Sequence, residues 1–121
     1  MKTIWVLENI RGDKTFYEKF DLLMMFSSVI QWKKHHPTFE CSLYADKMTL
    51  EVITQLGANT FWDNTTVLPK NNAVNKNVFW ASSKLQVLTQ IKEPTIIMDN
   101  DFVVYTNFKK FLNQQVVVSH I

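Results

Sequence analysis

The spacing of apolar residues predicts a strand and then a long helix in the first third of the chain. Residues 3–7, with the sequence Thr-Ile-Trp-Val-Leu, are mostly apolar and rich in residue types that favour strands. Gly12 and Asp13 then supply a turn and a candidate helix N-cap. From Phe16 to about His35, apolar residues recur at steps of three and four, which is the period of an amphipathic helix. The apolar stripe is broad enough to pack on a sheet, and it consists of Phe16, Phe20, Leu22, Leu23, Phe26, Val29 and Ile30.

Strand and helix patterns continue to alternate through the rest of the chain. Pro37 ends the first helix, Gly57 ends the second, and Pro94 follows the third. The strand at 95–98, Thr-Ile-Ile-Met, is short and apolar, as is typical of a strand that is buried on both faces. We therefore predict an α/β fold in which helices cover a mainly parallel sheet, in three layers. The other predicted elements are strands at 39–45, 60–62 and 116–118, helices at 47–56 and 78–91, and a short helix near 108–112.

Length and composition indicate one domain over residues 1–121. The chain is 46% hydrophobic with only two glycines and three prolines, which suits one sizeable core and argues against linkers and disorder. Basic residues exceed acidic residues by only two, 13 against 11, so nucleic acid is not an expected partner. The basic cluster at 33–36 is typical of a solvated helix end. Its histidines, His35 and His36, are expected on the surface.

The first apolar run and the single cysteine bear on where the protein works. The apolar run before Glu8 is only four residues long, too short for a signal peptide or a membrane span. We therefore expect a cytoplasmic protein without a membrane span. Cys41 has no second cysteine for a disulfide or a metal knuckle, and we expect it to be a small buried strand residue.

Two acidic residues stand directly after the apolar strand at 95–98. In an open α/β sheet, ligands bind beyond the carboxyl ends of the strands, so Asp99 and Asp101 are candidates for contact with a substrate. Carboxylates at this spacing offer hard oxygen ligands to Mg²⁺ or Mn²⁺, and such a cation neutralises a diphosphate. A purely structural acidic turn has the same pattern, but the apolar strand before it favours the functional interpretation.

The segments around this motif resemble GT-A-type glycosyltransferases. Residues 79–85, Phe-Trp-Ala-Ser-Ser-Lys-Leu, and residues 92–101, Lys-Glu-Pro-Thr-Ile-Ile-Met-Asp-Asn-Asp, are similar to the helix and DxD segment of that family, above all to a bacterial and phage group. The agreement extends to residues 43–46, 56–57 and 117–120. It therefore covers most of the chain, and the DxD segment is its specific part.

This resemblance implies a Rossmann-like fold that binds a nucleotide-sugar with the help of Mn²⁺ or Mg²⁺. It implies that Asp99 and Asp101 hold the cation, and that Asn100 lies beside the ribose or the sugar. Lys84 matches a lysine of the family and is expected near the phosphates or the aspartates. The alternative for Lys84 is a side chain that extends from its helix into solvent.

Three further residues are candidates for contact with the nucleotide. Asp46 follows the second strand, where an acid of such folds binds the base or ribose; a helix N-cap is the alternative. Trp5 and Trp80 either stack on a base or pack in the core.

The chain ends about 20 residues after Asp101, where the resembled enzymes continue. In those enzymes the acceptor-binding and catalytic groups come from the later part, so we assign no catalytic residue, and His120 is not assigned to the metal. We expect the donor-binding half of a hexosyltransferase-like enzyme that a further segment or a partner completes.

Two other interpretations stay open. One is a non-catalytic module on a shortened GT-A fold that binds a nucleotide or forms a homo-oligomer through its exposed last strand, 116–118. The other is a haloacid-dehalogenase-like phosphatase, in which the first aspartate is the nucleophile and the second a general acid. Those enzymes have small, flexible residues after the second aspartate, whereas Phe102 and Val103 follow here.

Overall fold

A computed structural model describes residues 1–8, 19–69 and 82–112. Strands and helices alternate along these ranges, as the apolar pattern predicts. The strands are β1 (Lys2–Leu7), β2 (Glu40–Ala45), β3 (Asn64–Val67) and β4 (Thr95–Met98). The helices are α1 (Lys19–His35), α2 (Lys47–Gln55) and α3 (Ser82–Gln90), together with two short 3-10 helices, Asn59–Phe61 and Lys109–Phe111.

The four strands form one parallel sheet in the order β3-β2-β1-β4. Lys2 pairs with Glu40 on one side of β1 and with Thr95 on the other. The chain therefore builds the sheet outward from β1 through β2 to β3, and then crosses to the opposite side of β1 to add β4. This confirms the prediction of an α/β fold with a parallel sheet.

The side chains of β1 point alternately into two apolar clusters, one on each face of the sheet. On one face, Trp5 packs with residues of α1 and α2, among them Val29 and Ile53. On the other face, Ile4 and Val6 pack with Val87 of α3 and with Leu68. Since helices contact both faces, the described part of the fold has the predicted three layers.

The third strand lies later in the chain than predicted. Residues 59–61 form a 3-10 helix instead of a strand, Trp62 is buried after it, and β3 begins at Asn64. Every residue of β3 is exposed, and the strand lies at the edge of the described sheet, so it carries no apolar alternation to reveal it.

Asp63 fixes the path of the chain into β3. Its carboxylate accepts a hydrogen bond from the Cys41 backbone N–H and another from Lys33 Nζ, both at 2.8 Å. These two bonds, with that of Lys33 the stronger influence, lower the pKa of Asp63. A polar anchor, rather than an apolar pattern, therefore sets where β3 starts.

Several smaller predictions have clear outcomes. Gly57 has φ 71° and directly follows Leu56, the C-cap of α2, so its role as a helix stop is confirmed. Cys41 is fully buried as predicted, and burial raises the pKa of its thiol to about 12, which leaves it inert as a nucleophile. The surface prediction for His36 is wrong, because this ring is completely buried.

The strand β4 is less buried than predicted. Thr95, Ile96 and Ile97 are half-buried and only Met98 is fully buried, because β4 lies at the edge of the described sheet with β1 as its partner. The predicted starts of the first and third helices and the strand at 116–118 lie outside the described residues.

Candidate functional site

The strand order reverses between β1 and β4, and the place between the carboxyl ends of these two strands is called the crevice below. The connection that follows β1 leads to β2 on one side, whereas β4 lies on the other side of β1. In doubly wound sheets, ligands bind where the strand order reverses in this way, because the connections on the two sides diverge and leave the strand ends open. Glu8 follows β1 and Asp99 follows β4, so both lie at this crevice.

The DxD motif forms a tight turn at the end of β4. The Phe102 N–H donates a hydrogen bond to the Asp99 carbonyl oxygen at 3.1 Å, which closes a four-residue turn over Asp99, Asn100 and Asp101. Asp99 is half-buried and Asp101 is exposed. The turn therefore holds two carboxylates at the end of the strand.

Asn100 attaches this turn to β1. Its Nδ2 donates to the Val6 carbonyl oxygen at 3.2 Å, one step beyond the last backbone pair of the two strands, Trp5 with Met98. The other end of the same amide, Oδ1, is buried and has no hydrogen-bond partner in the part of the chain that the structure describes. A buried acceptor without a partner is costly, so Oδ1 is a candidate ligand-binding oxygen.

Lys84 in the first turn of α3 forms an ion pair with Asp99. Its Nζ contacts Asp99 Oδ1, and the two side chains are 26% and 46% exposed. Lys84 thus lies against one of the two aspartates, whereas its contact with the phosphates of a nucleotide stays a prediction. A pair with this much exposure contributes little to stability, which leaves the lysine available to a ligand.

The neighbouring Ser83 binds an acidic residue that the sequence interpretation missed. Ser83 is buried, and its hydroxyl donates to the carboxylate of Glu8 at the end of β1. Glu8 meets the criterion that singled out Asp99, because it too follows an apolar strand directly. The first turn of α3 thus contacts the strand ends on both sides of the crevice.

Trp5 does not lie in the crevice with these residues. It is fully buried, its Nε1–H donates to Ser28 Oγ at 3.0 Å, and its ring meets Trp62 edge to face. Because neither face of the ring is open to a nucleotide, Trp5 does not stack on a base in this structure. It packs in the core, which was the alternative interpretation. Trp80 and His120 lie outside the described residues.

Asp46 is the N-cap of α2. Its carboxylate accepts hydrogen bonds from the backbone N–H of Thr49 at 3.1 Å and from the Thr49 hydroxyl. The structural alternative for Asp46 is thus observed, while contact with a nucleotide stays a prediction.

Replacing Asp46 with asparagine and with alanine separates these two roles. Alanine removes the cap, and we expect the free energy of unfolding in urea to fall by about 0.5–2 kcal/mol. Asparagine caps almost as well, so Asp46→Asn should be close to the wild type in stability. If Asp46→Asn nevertheless weakens nucleotide binding, its charge contacts the ligand; if Asp46→Ala unfolds like the wild type, the cap contributes nothing.

The residues at the crevice could hold a divalent cation if a bound ligand supplied further oxygen atoms. Within residues 1–8, 19–69 and 82–112, no three His, Cys, Asp or Glu side chains come together as a metal-binding group. Mg²⁺, however, is commonly held by one or two carboxylates together with substrate phosphates, so Asp99 and Asp101 fit that mode. The Lys84 ammonium forms an ion pair with the carboxylate of Asp99, so a positive charge is already bound at this position.

Comparisons with known proteins do not extend these findings. No protein-family model matches the chain, and no curated protein matches it. None of the helices in the described ranges is both long and apolar enough to cross a membrane.

Proposed function

We propose that this chain binds a nucleoside diphosphate sugar, together with Mg²⁺ or Mn²⁺, at the carboxyl ends of β1 and β4. The observation that carries the proposal is the position of the Asp99–Asp101 turn at the point where the strand order reverses. This is the place where doubly wound folds bind nucleotides. More specifically, we propose that the chain is the donor-binding part of a GT-A glycosyltransferase.

The strand order supports a nucleotide ligand. The order β3-β2-β1-β4 is that of the first four strands of a dinucleotide-binding sheet. Such sheets usually bind the diphosphate through a glycine-rich loop after the first strand. Here the sequence that follows β1, Glu-Asn-Ile-Arg-Gly-Asp, contains a single glycine, Gly12. A cation held by Asp99 and Asp101 would take over the neutralisation of the diphosphate.

Each side chain of the crevice has a distinct part in this proposal. Asp99 and Asp101 would hold the cation, which would supply a Lewis acid for a nucleoside diphosphate leaving group. Asn100 Oδ1 would accept a hydrogen bond from a ribose or sugar hydroxyl, since it lacks a partner among the described residues. Lys84 would move from Asp99 to a phosphate oxygen when the cation arrives, because the cation would replace it at the carboxylate and its flexible ammonium can bind another anion.

A thermal-shift titration tests the proposal. The wild type is melted with UDP, GDP and their sugars, with and without Mn²⁺, and the same series is run on Asp99→Asn and Asp101→Asn. A ligand that binds only the folded state raises the free energy of unfolding by about 2.7 kcal/mol at 100 times its Kd. We expect one nucleotide series to raise the Tm only with Mn²⁺, and we expect each aspartate variant to abolish the shift.

Glu93→Gln is the matched control, because Glu93 is an exposed acid just before β4 and outside the crevice. It should keep the full shift. A shift that survives in both aspartate variants would place the ligand elsewhere, and no shift for any nucleotide would refute the proposal. If a nucleotide sugar binds, an assay for hydrolysis or transfer of its sugar by the wild type distinguishes an enzyme from a module that only binds.

A further inference from the structure

A buried histidine lies at the end of α1, on a different part of the molecule from the crevice. His36 directly follows the last residue of α1 and has no exposed surface. Its ring stacks on Trp32, with centroids 3.9 Å apart and an interplanar angle of 18°, and it also contacts Phe39. Buried polar atoms are usually hydrogen-bonded, but of the two ring nitrogens of His36 only Nε2 has a partner among the described residues, and Nδ1 has none.

One ring nitrogen of His36 binds the backbone of a distant segment. The Phe108 N–H donates to His36 Nε2 at 2.9 Å, and the neighbouring Asn107 side chain donates to the His35 carbonyl oxygen at 3.0 Å. The segment 102–108 follows the Asp99–Asp101 turn directly. Its other end is held by Ser28, whose hydroxyl donates to the Phe102 carbonyl oxygen at 2.6 Å. Three polar contacts, two with α1 and one with His36 directly after it, therefore hold this segment.

The bond to Phe108 requires a neutral ring. Nε2 accepts a hydrogen bond only when it carries no proton, and in the imidazolium form both ring nitrogens are donors. Protonation of Nε2 would place its hydrogen against that of the Phe108 N–H. The ring therefore has to give up this contact in order to become charged.

The surroundings of the ring disfavour its charge. Burial is the largest influence and lowers the pKa of His36 below the ordinary 6.5, and the positive charges of His35 on α1 and Lys109 on the following 3-10 helix lower it further. The Trp32 backbone acts in the opposite direction. Phe39, from the turn packed on the other side, is uncharged, and the Trp32 ring offers an imidazolium only a modest cation–π attraction.

From this geometry we propose that His36 is an acid-sensitive latch, whose protonation releases Phe108 and with it the end of the segment 102–108. Proton linkage determines whether acid favours or opposes release. The folded form holds the neutral ring and the released form binds the proton more readily, so acid favours release. Well above pH 6.5 the latch stabilises the attached segment fully. This stabilisation is lost as the pH falls from 6.5 through the lower pKa of the latched ring.

Amide hydrogen exchange at Phe108, followed by NMR, measures the latch. A released ring with the ordinary pKa makes opening about ten times more favourable at pH 5.5 than at pH 7.5, provided that the latched ring stays neutral. After division by the intrinsic exchange rates, we expect the protection of the Phe108 amide in the wild type to fall about ten-fold over this range. The amide oxygen of glutamine accepts a hydrogen bond without titrating, so His36→Gln should lose this pH dependence. His35→Gln, a change at the adjacent histidine, should keep it.

A second measurement needs only the wild type, in case His36→Gln does not fold. The ring proton on His36 Cε1 and the Phe108 amide should shift with one shared midpoint, below pH 6.5. A ring that titrates while the Phe108 amide resonance stays constant would overturn the latch. The same ten-fold loss of protection in His36→Gln as in the wild type would overturn it as well.

Discussion

Replacing Trp5 with alanine is expected to lower the free energy of unfolding by about 3–5 kcal/mol, the cost usual for truncating a large buried aromatic residue. Trp5 lies on β1, the strand that has partners on both sides, and none of its surface is exposed. Its ring meets Trp62 with centroids 6.4 Å apart. The substitution would leave a cavity between the sheet and α1 that neighbouring side chains fill only in part. Urea denaturation followed by circular dichroism measures the change.

Leu23→Ala is the control for the Trp5 substitution. It also truncates a large apolar side chain, but Leu23 is 60% exposed on α1. We expect it to change the free energy of unfolding by no more than about 0.5 kcal/mol. A Trp5→Ala variant as stable as Leu23→Ala would contradict the central position of Trp5. It would also reopen the hypothesis that this ring stacks on a base.

The parts of the fold with strong apolar patterns were predictable from the sequence. The predicted bounds of β4, 95–98, agree with the observed strand, and the end of α2 agrees to within one residue. In both places a chemically distinct signal ends the element, since Asp99 interrupts an apolar run and Gly57 takes a positive φ. The DxD motif was identified because it lies at such a boundary.

The third strand was not predictable in the same way. Asn64–Val67 is exposed throughout and has no alternation of apolar residues. Phe61 and Trp62 have strong strand propensity, yet Trp62 packs under α1 beside Phe26 and Trp5, and the chain turns there. Burial in the tertiary structure outweighed local preference at these residues.

His36 and Glu8 show two other limits of sequence interpretation. A histidine beside lysines at a helix end is usually solvated, and nothing in the local sequence indicates that Phe108, 72 residues later, covers it. Glu8 follows an apolar strand as Asp99 does, so the same reasoning applied to β1 would have found it. What the sequence could not supply is the partner of Glu8, since Ser83 reaches it only through the packing of α3 on the sheet, whereas the resemblance already implies that Lys84 lies near the phosphates or the aspartates.

The second large effect is expected at Ser28, which joins the core to the segment after the DxD turn. Its hydroxyl accepts from Trp5 Nε1 and donates to the Phe102 carbonyl oxygen, so one small side chain satisfies two polar groups. Ser28→Ala keeps nearly the same volume but leaves a buried indole N–H without a partner. It also removes the hydrogen bond to a partly buried carbonyl. At about 1–3 kcal/mol for a stranded group, and with the smaller value for the Phe102 carbonyl because it is only partly buried, we expect a loss of about 2–4 kcal/mol in the free energy of unfolding.

The adjacent serine is the matched control for this prediction. Ser27 is exposed on the same helix, so Ser27→Ala should stay within about 0.5 kcal/mol of the wild type. A double-mutant cycle with Trp5→Phe, which keeps a buried ring but removes the indole N–H, isolates the contact between Trp5 and Ser28. Their effects should be less than additive, because either change alone already breaks the same hydrogen bond. Strict additivity would mean that Ser28 stabilises the fold only through its hydrogen bond to Phe102. Equal losses for Ser27→Ala and Ser28→Ala would mean that the hydrogen bonds of Ser28 to Trp5 and Phe102 have no role in stability.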